Sequence, residues 1–329
     1  MIMDTEKIKK YNIPIFIPHE GCPHSCVFCN QKKITGVQTS VSCEDVKKII
    51  EEYLSFLPMD NRYVEIAFFG GSFTGLSLDI QEAFLKTANC YRSFVNGIRM
   101  STRPDYINND VLELAKKYNV TTIELGLQSS DDEVLRLNER EHIFAQTIKA
   151  AKLIKEYEIN LGLQMMIGMY GSTPEKDIKT AVDTAKLEPD CVRIYPTLTL
   201  SGTKLENLYK NGDYVPYELD EAVDVTDDVM RLFEEKNIQI IRVGLHSDES
   251  LTDGKSIVAG PYHPAFKELV LSKRARVKLE NDIVSKGYRD CIYEICVPKK
   301  SVYEYVGHKR CNILYLKDKY NIDLKVVVQ

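Results

Sequence analysis

The sequence predicts an α/β protein built on a parallel sheet, either a partial barrel or an open doubly wound sheet, followed by a small α/β extension. Three observations predict it. Short apolar or β-branched runs alternate with longer stretches of helical period along residues 13–243. These repeats number six or seven, too few for a complete eight-fold barrel. After residue 260 the rhythm changes to one long basic helix and then short alternating elements. The expected units are therefore 1–260 and 261–329.

The strand candidates are Ile13–Pro18, Val64–Phe69, Ile98–Ser101, Thr121–Gly126, Asn160–Ile167, Cys191–Tyr195 and Ile238–Val243. Helices are expected between them at Cys43–Leu57, Leu78–Phe94, Asn109–Tyr118, Ile143–Tyr157, Pro174–Lys186 and Glu218–Lys236. Ser42 stands where an N-cap belongs, and Thr173-Pro174-Glu175 places a capping hydroxyl before a first-turn proline. The extension reads as a helix over Pro264–Lys286, a strand over Ile292–Val297, and a helical piece ending near Val306. The tetrad Gly307-His308-Lys309-Arg310 follows, then a helix over Asn312–Tyr320 and a strand over Asp323–Val328. In either sheet architecture ligands gather at the carboxyl ends of strands, so chemically suggestive residues should follow strands.

Composition narrows the setting. The first twelve residues are charged and lack an apolar core segment, and no run of about 18 apolar residues occurs, which excludes a membrane-spanning helix. Nine cysteines, an odd number in a chain of 329 residues, fit a reduced cytoplasmic location better than a disulfide framework. Residues 261–329 carry 14 Lys and Arg against 8 Asp and Glu, a balance of +6, while the preceding residues stand at −11. A basic tail on an acidic body suits a polyanionic partner or a solvated basic surface equally well.

The densest chemical signal is Gly21-Cys22-Pro23-His24-Ser25-Cys26-Val27-Phe28-Cys29, directly after the first strand candidate. Three thiolates in eight residues can face one metal centre, and with only three in the run one metal position stays open for a ligand. The alternative is a zinc site completed by His19 or His24.

Cys-x3-Cys-x2-Cys with an aromatic before its last cysteine resembles the radical S-adenosylmethionine signature. Other stretches extend the resemblance through most of residues 13–260: Phe69-Gly70-Gly71-Ser72-Phe73-Thr74, Thr102-Arg103-Pro104-Asp105-Tyr106 and Glu124-Leu125-Gly126-Leu127-Gln128-Ser129. Further on are Gln164-Met165-Met166-Ile167-Gly168-Met169-Tyr170-Gly171-Ser172, Arg193-Ile194-Tyr195-Pro196-Thr197 and Gly202-Thr203. Taken together they are most similar to the radical domain of the Elongator catalytic subunit family.

That resemblance implies a partial (β/α)6 TIM-like barrel and a [4Fe-4S] cluster on Cys22, Cys26 and Cys29. The amino and carboxylate groups of S-adenosyl-L-methionine would take the free iron. Gly70, Gly71, Ser72 and Thr74 would edge the methionine amino group, with Phe28 beside the cluster. Gln128 and Arg140 would meet the carboxylate or ribose, Gln164 the ribose, and Gly168 through Gly171 with Tyr195 the adenine. Glu124 and Gln164, polar groups inside apolar strands, need partners there, and a barrel lumen supplies them. The implied chemistry is reductive cleavage to a 5′-deoxyadenosyl radical that takes hydrogen from substrate, with flavodoxin or ferredoxin as one-electron donor. The family's acetyltransferase half and its N-terminal extension have no counterpart in this sequence.

Three weaker motifs remain. Asp253-Gly254-Lys255-Ser256 lacks the first glycine of a phosphate-binding loop, with Glu249 in its place. Cys291 and Cys296 have opposite strand parity, which argues against a second metal site with His308 and Cys311 and for core thiols. The segment from Val306 to Ile313 resembles the loop of KH-type RNA-binding modules, with Arg310 where glycine is expected. Lys273, Arg274, Lys309 and Arg310 are the candidate RNA contacts. The expected function is a radical enzyme modifying tRNA or another RNA. The alternatives are a radical enzyme acting on a small molecule such as a tetrapyrrole, and a non-catalytic cluster carrier that binds RNA or traffics a cofactor.

Overall fold

The computed structural model describes residues 8–17, 22, 26–30, 41–245 and 256–329. His19, His24 and most of the Asp253–Ser256 segment lie outside them. Seven strands form one parallel sheet: β1 (Lys9–Ile17), β2 (Arg62–Gly70), β3 (Gly97–Thr102), β4 (Val120–Gln128), β5 (Asn160–Ile167), β6 (Cys191–Pro196) and β8 (Gln239–Val243). They are hydrogen-bonded in chain order, β1-β2-β3-β4-β5-β6-β8. That order decides between the two expected architectures. A doubly wound sheet reverses its strand order at a switch point, whereas every unit here steps the same way, as in a barrel. The two end strands, β1 and β8, do not pair, so the barrel is open.

Helices α1 (Cys43–Phe56), α2 (Leu78–Asn89), α3 (Asn109–Lys117), α5 (Phe144–Glu156), α6 (Pro174–Lys186) and α8 (Leu219–Glu235) connect the strands. Local chemistry starts several of them. Ser42 and Asp45 form a reciprocal capping box, Asn108 accepts from the Val111 N–H, and Thr173 accepts from the Lys176 N–H before Pro174. Two short helices escape the sequence reading, α4 (Asp132–Leu137) and α7 (Lys204–Asn211), as does the small hairpin of β7 (Thr199–Leu200) with β9 (Ile257–Ala259). The core lies between sheet and helices: Ile13, Ile15, Ile66, Phe68, Ile123, Ile194 and Phe233 are all buried in one cluster.

The barrel interior is charged. Arg99 on β3 joins Glu65 on β2 to Glu124 on β4, and Arg193 on β6 grips Glu124 from the other side. Gly162 on β5 leaves the space this needs, since a Cβ there would stand 2.6 Å from Glu124 Cγ. Burial pushes the Glu124 carboxyl up, but Arg193 and Arg99 outweigh it and hold the group below its ordinary value.

The long helix α9 (Phe266–Lys286) serves two cores. Phe266 and Val270 pack with the barrel, while Leu279 and Ile283 pack with Leu316, Ile322 and Leu324 of the extension. The extension then runs β10 (Ile292–Val297), α10 (Val302–Val306), the 307–310 turn, α11 (Cys311–Tyr320) and β11 (Asp323–Val328), with β10 and β11 parallel. Cys291 and Cys296 do fall on different faces. Cys291 packs against the extension's core, and Cys296 is exposed, which corrects its reading as a core thiol.

Candidate active site

The predicted site residues collect at the carboxyl ends of the strands. The cysteine loop follows β1, Gly70–Thr74 closes β2, Arg103 follows β3, Gln128 ends β4, Gly168 follows β5 and Tyr195 nears the end of β6. Gln164 and Glu124 lie deeper, within β5 and β4.

The loop is latched from two sides. The Val27 N–H donates to the Asn138 carbonyl at 3.2 Å, and the Leu205 N–H at the start of α7 donates to the Val27 carbonyl at 2.9 Å. The Asn138 amide in turn donates to the Val134 and Tyr170 carbonyls. Phe28, one residue before the last cysteine, packs against the cluster of Val134, Met166 and Met169, on which Tyr195 also packs. Burial and the adjacent Cys26 push the Cys22 thiol up, while Arg103 and Arg140 pull it down. Among the described residues, no three His, Cys, Asp or Glu side chains converge on one metal-ion position. A single zinc would hold each sulfur about 2.3 Å from the ion, whereas in a four-iron cube each thiolate binds a different iron.

Arg140 reaches into this loop. Its Nη1 stands 3.3 Å from Cys26 Sγ and its Nη2 donates to the Gly126 carbonyl at 2.6 Å, leaving Nε buried without a partner. Next to it, burial and the Arg140 charge hold the His142 imidazole down to about 4. Gln128 takes a left-handed φ of 66° at an irregularity in the β4–β5 register, a conformation that re-aims its side chain. Its Oε1 accepts from Gln164 Nε2 at 3.3 Å, so two residues 36 positions apart meet. Gly126 gives both Gln128 and Arg140 room, since a Cβ there would lie 2.9 Å from Gln128 Nε2.

At the β2 end Gly70 has φ 103°, and its would-be Cβ would meet the Ile17 carbonyl oxygen at 2.8 Å. The Gly71 N–H donates to that same oxygen. Ser72 and Thr74 share the Thr102 hydroxyl at 2.8 and 2.5 Å. At the β5 end Gly168 has φ 68°, and its N–H donates to Asp177 at 2.8 Å. Asp177 also accepts from Ser172 and Tyr217, so one buried carboxylate shapes the whole 168–172 turn. Sequence reasoning passed over Asp177 because it sits in the first turn of α6, where an acid is ordinary. The signal for Arg103 was available, within Thr102-Arg103-Pro104-Asp105-Tyr106, but no role was attached to it.

The Glu124 carboxylate is taken up by Arg99 and Arg193 and is a pillar of the barrel interior. Lys273 and Arg274 face helix α8: Lys273 pairs with Asp224 at 2.5 Å, and Arg274 with Asp227 and Glu234 at 2.5 and 2.7 Å. Lys309 and Arg310 are exposed.

Comparison with known proteins agrees with this geometry. Residues 16–184 match the Radical SAM superfamily, and residues 189–276 match the Radical_SAM C-terminal domain. The tRNA uridine(34) acetyltransferase of Methanocaldococcus jannaschii is 26% identical over 265 residues, covering 65% of this chain and 47% of that protein. Elongator complex protein 3 of Saccharomyces cerevisiae is 31% identical over 157 residues, covering 47% of this chain and 28% of that protein. The chain thus spans half or less of the length of these curated relatives. In fold it resembles the archaeal Elp3 of Methanocaldococcus infernus, with a TM-score of 0.64 at 24% identity over 86% of this chain and 64% of that one. With its cysteine loop at the mouth of an open parallel barrel and a family match over half its length, the chain belongs to the radical SAM superfamily.

Proposed function

We propose that this radical SAM enzyme modifies tRNA, holding its cluster on Cys22, Cys26 and Cys29 and gripping the nucleic acid with the extension. The observation that carries the chemistry is the cysteine loop, pinned at Val27 from both sides, together with the Gln128–Gln164 pair at the strand ends. The residues present fit a four-iron cluster: three thiols on one short loop, an Arg140 N–H already on Cys26 Sγ, and buried N–H groups of Arg103 and Arg140 without partners. When bound and reduced, that cluster supplies the electron that breaks a carbon–sulfur bond of S-adenosylmethionine. The protein's part is placement. Gly70 and Gly71 let the backbone approach a ligand edge, Gln128 and Gln164 offer amides from adjacent strands, and Phe28, Met166 and Tyr195 wall one side apolar against water.

The tRNA reading rests on relatives named for tRNA uridine(34) acetylation and on the extension. There a strand–helix–turn–helix–strand places Lys309 and Arg310 on an exposed turn, both in left-handed conformation. Gly307 is required beside them, since a Cβ would stand 2.6 Å from Cys311 Sγ. A turn of this kind between two helices suits clamping of nucleotide backbone.

The test compares modified nucleosides in tRNA from cells with and without the gene, alongside anaerobic S-adenosylmethionine cleavage by the reconstituted protein. A nucleoside lost with the gene and restored by wild type supports the reading. Restoration by Cys26→Ala would sink it. Gln164→Ala should weaken S-adenosylmethionine binding about tenfold with iron content intact, the worth of about one hydrogen bond. Arg140→Ala should lower iron content as well, because its guanidinium touches Cys26. Normal tRNA together with cleavage coupled to a small molecule would transfer the function to that substrate class.

A further inference from the structure

Beside Arg140 lies a second guanidinium to which neither the motif nor the family resemblance gives a task. Arg103 follows β3 and is 3% exposed. Its Nε and Nη2 hold the Asp105 carboxylate at 3.0 and 2.9 Å, and Nη2 also donates to the Arg140 carbonyl at 2.6 Å. Its backbone N–H donates to Ser72 Oγ at 3.2 Å. Nη1 alone is buried with no partner. Leaving a charged donor buried and unmatched is costly, so its surroundings should supply an anion when the site is complete. Its Nη2 meets the carbonyl of Arg140, whose own Nη1 stands 3.3 Å from Cys26 Sγ, and besides Asp105, Cys26 and Cys22 its charge is also felt by Tyr106 and His142.

We propose that Arg103 is a positioning residue that tunes the cluster: its buried positive charge favours the reduced form, and Asp105 sets how much of that charge is felt. The proposal rests on the cluster reading above. Reduction adds one electron, and so one negative charge, to the cluster; the electron comes from an external donor, and no protein bond or proton moves. A fixed positive charge in a low-dielectric surrounding stabilises the more negative state, and net charge around an iron–sulfur cluster is one of the determinants of its potential. Arg103 also supports Arg140 through its carbonyl, so a purely structural role must be separated from an electrostatic one.

The experiment is an anaerobic redox titration of the reconstituted full-length protein without S-adenosylmethionine, followed by visible absorption and electron paramagnetic resonance, with iron measured on every sample. At a fixed potential Arg103→Gln should lower the reduced-to-oxidised ratio about tenfold or more, equivalent to about 59 mV for one electron. Arg103→Lys, which keeps the charge and loses the fork, should stay near wild type. Asp105→Asn should move the ratio the other way, toward reduction. If Arg103→Gln fails to hold iron, Asp105→Asn decides: a rise supports the proposal and no rise overturns it. Equal shifts for the Gln and Lys variants, or no shift at full iron content, would also overturn it while leaving the cluster reading intact. Wild type that holds zinc and no iron would remove both.

Discussion

Asp177 shows how one side chain can carry a turn. It accepts from the Gly168 N–H, the Ser172 hydroxyl and the Tyr217 hydroxyl, from a position 2% exposed. Burial pushes its carboxyl up to about 6, although all three hydrogen bonds pull the other way. Its folded value therefore lies above the unfolded one. The associated stability is complete below about pH 4, near the ordinary Asp value, and is lost as pH rises through the folded value of about 6. Asp177→Asn removes this titration, so relative to wild type the variant should gain up to about 3 kcal/mol between pH 4 and pH 7.5. Urea unfolding at both pH values checks it, and a wild-type-to-variant gap that stays constant with pH would refute it. Nothing around residue 177 in sequence signals this role. Its donors come from the preceding loop and from Tyr217, and the latter approaches only when α8 closes over α6.

Among elements, the sheet strands and long helices were legible because period and length are local properties. Asn160–Ile167, Pro174–Lys186, Ile292–Val297 and Asp323–Val328 match their expected bounds. Helix α4, with six residues, and the two- and three-residue strands β7 and β9 are too short to show a period. Helix α2 stops at Asn89 instead of continuing to Phe94, where the chain passes into turns. The Glu65–Arg99–Glu124–Arg193 network links strands β2, β3, β4 and β6, and its removal tests whether it supports the barrel. Glu124→Gln leaves the buried Arg193 without its counter-charge and Arg99 with Glu65 alone, and the expected loss is about 3–5 kcal/mol, read from urea denaturation at pH 7. A loss within about 0.5 kcal/mol, the scatter of surface substitutions, would mean that water or relaxation replaces the pair.

For the whole molecule, the division of charge matters more than its sum. Part of the basic excess after residue 260 is spent inside the protein, where Lys273 and Arg274 tie α9 to acidic α8. Lys309→Ala with Arg310→Ala should therefore weaken tRNA binding and make its salt dependence shallower by roughly one to two units, while unfolding stability stays within about 0.5 kcal/mol. Arg274→Ala should do the reverse, lowering stability by about 3 kcal/mol with the salt slope unchanged. Filter binding across a salt series and denaturant titration separate the two. Equal slopes for wild type and the 309/310 double variant would make the extension a structural cap. Among the described residues no helix is long and apolar enough to cross a membrane.

By itself the sequence determined the α/β alternation, the cysteine loop after the first strand, the glycines at strand ends and the extension's strand–helix–turn–helix–strand order. Each depends on residues within a few positions of one another: apolar spacing, caps, and a three-cysteine run whose neighbours share one loop. Only the tertiary structure decided that the sheet is an open barrel rather than doubly wound, that Gln128 meets Gln164, that Glu124 is spent on two arginines, and that Arg103 meets the carbonyl of the arginine that touches Cys26. The physical reason is distance along the chain. Pairing across tens of residues leaves no periodic trace, and a charge reads the same in sequence whether it faces solvent, an ion-pair partner or a buried cysteine.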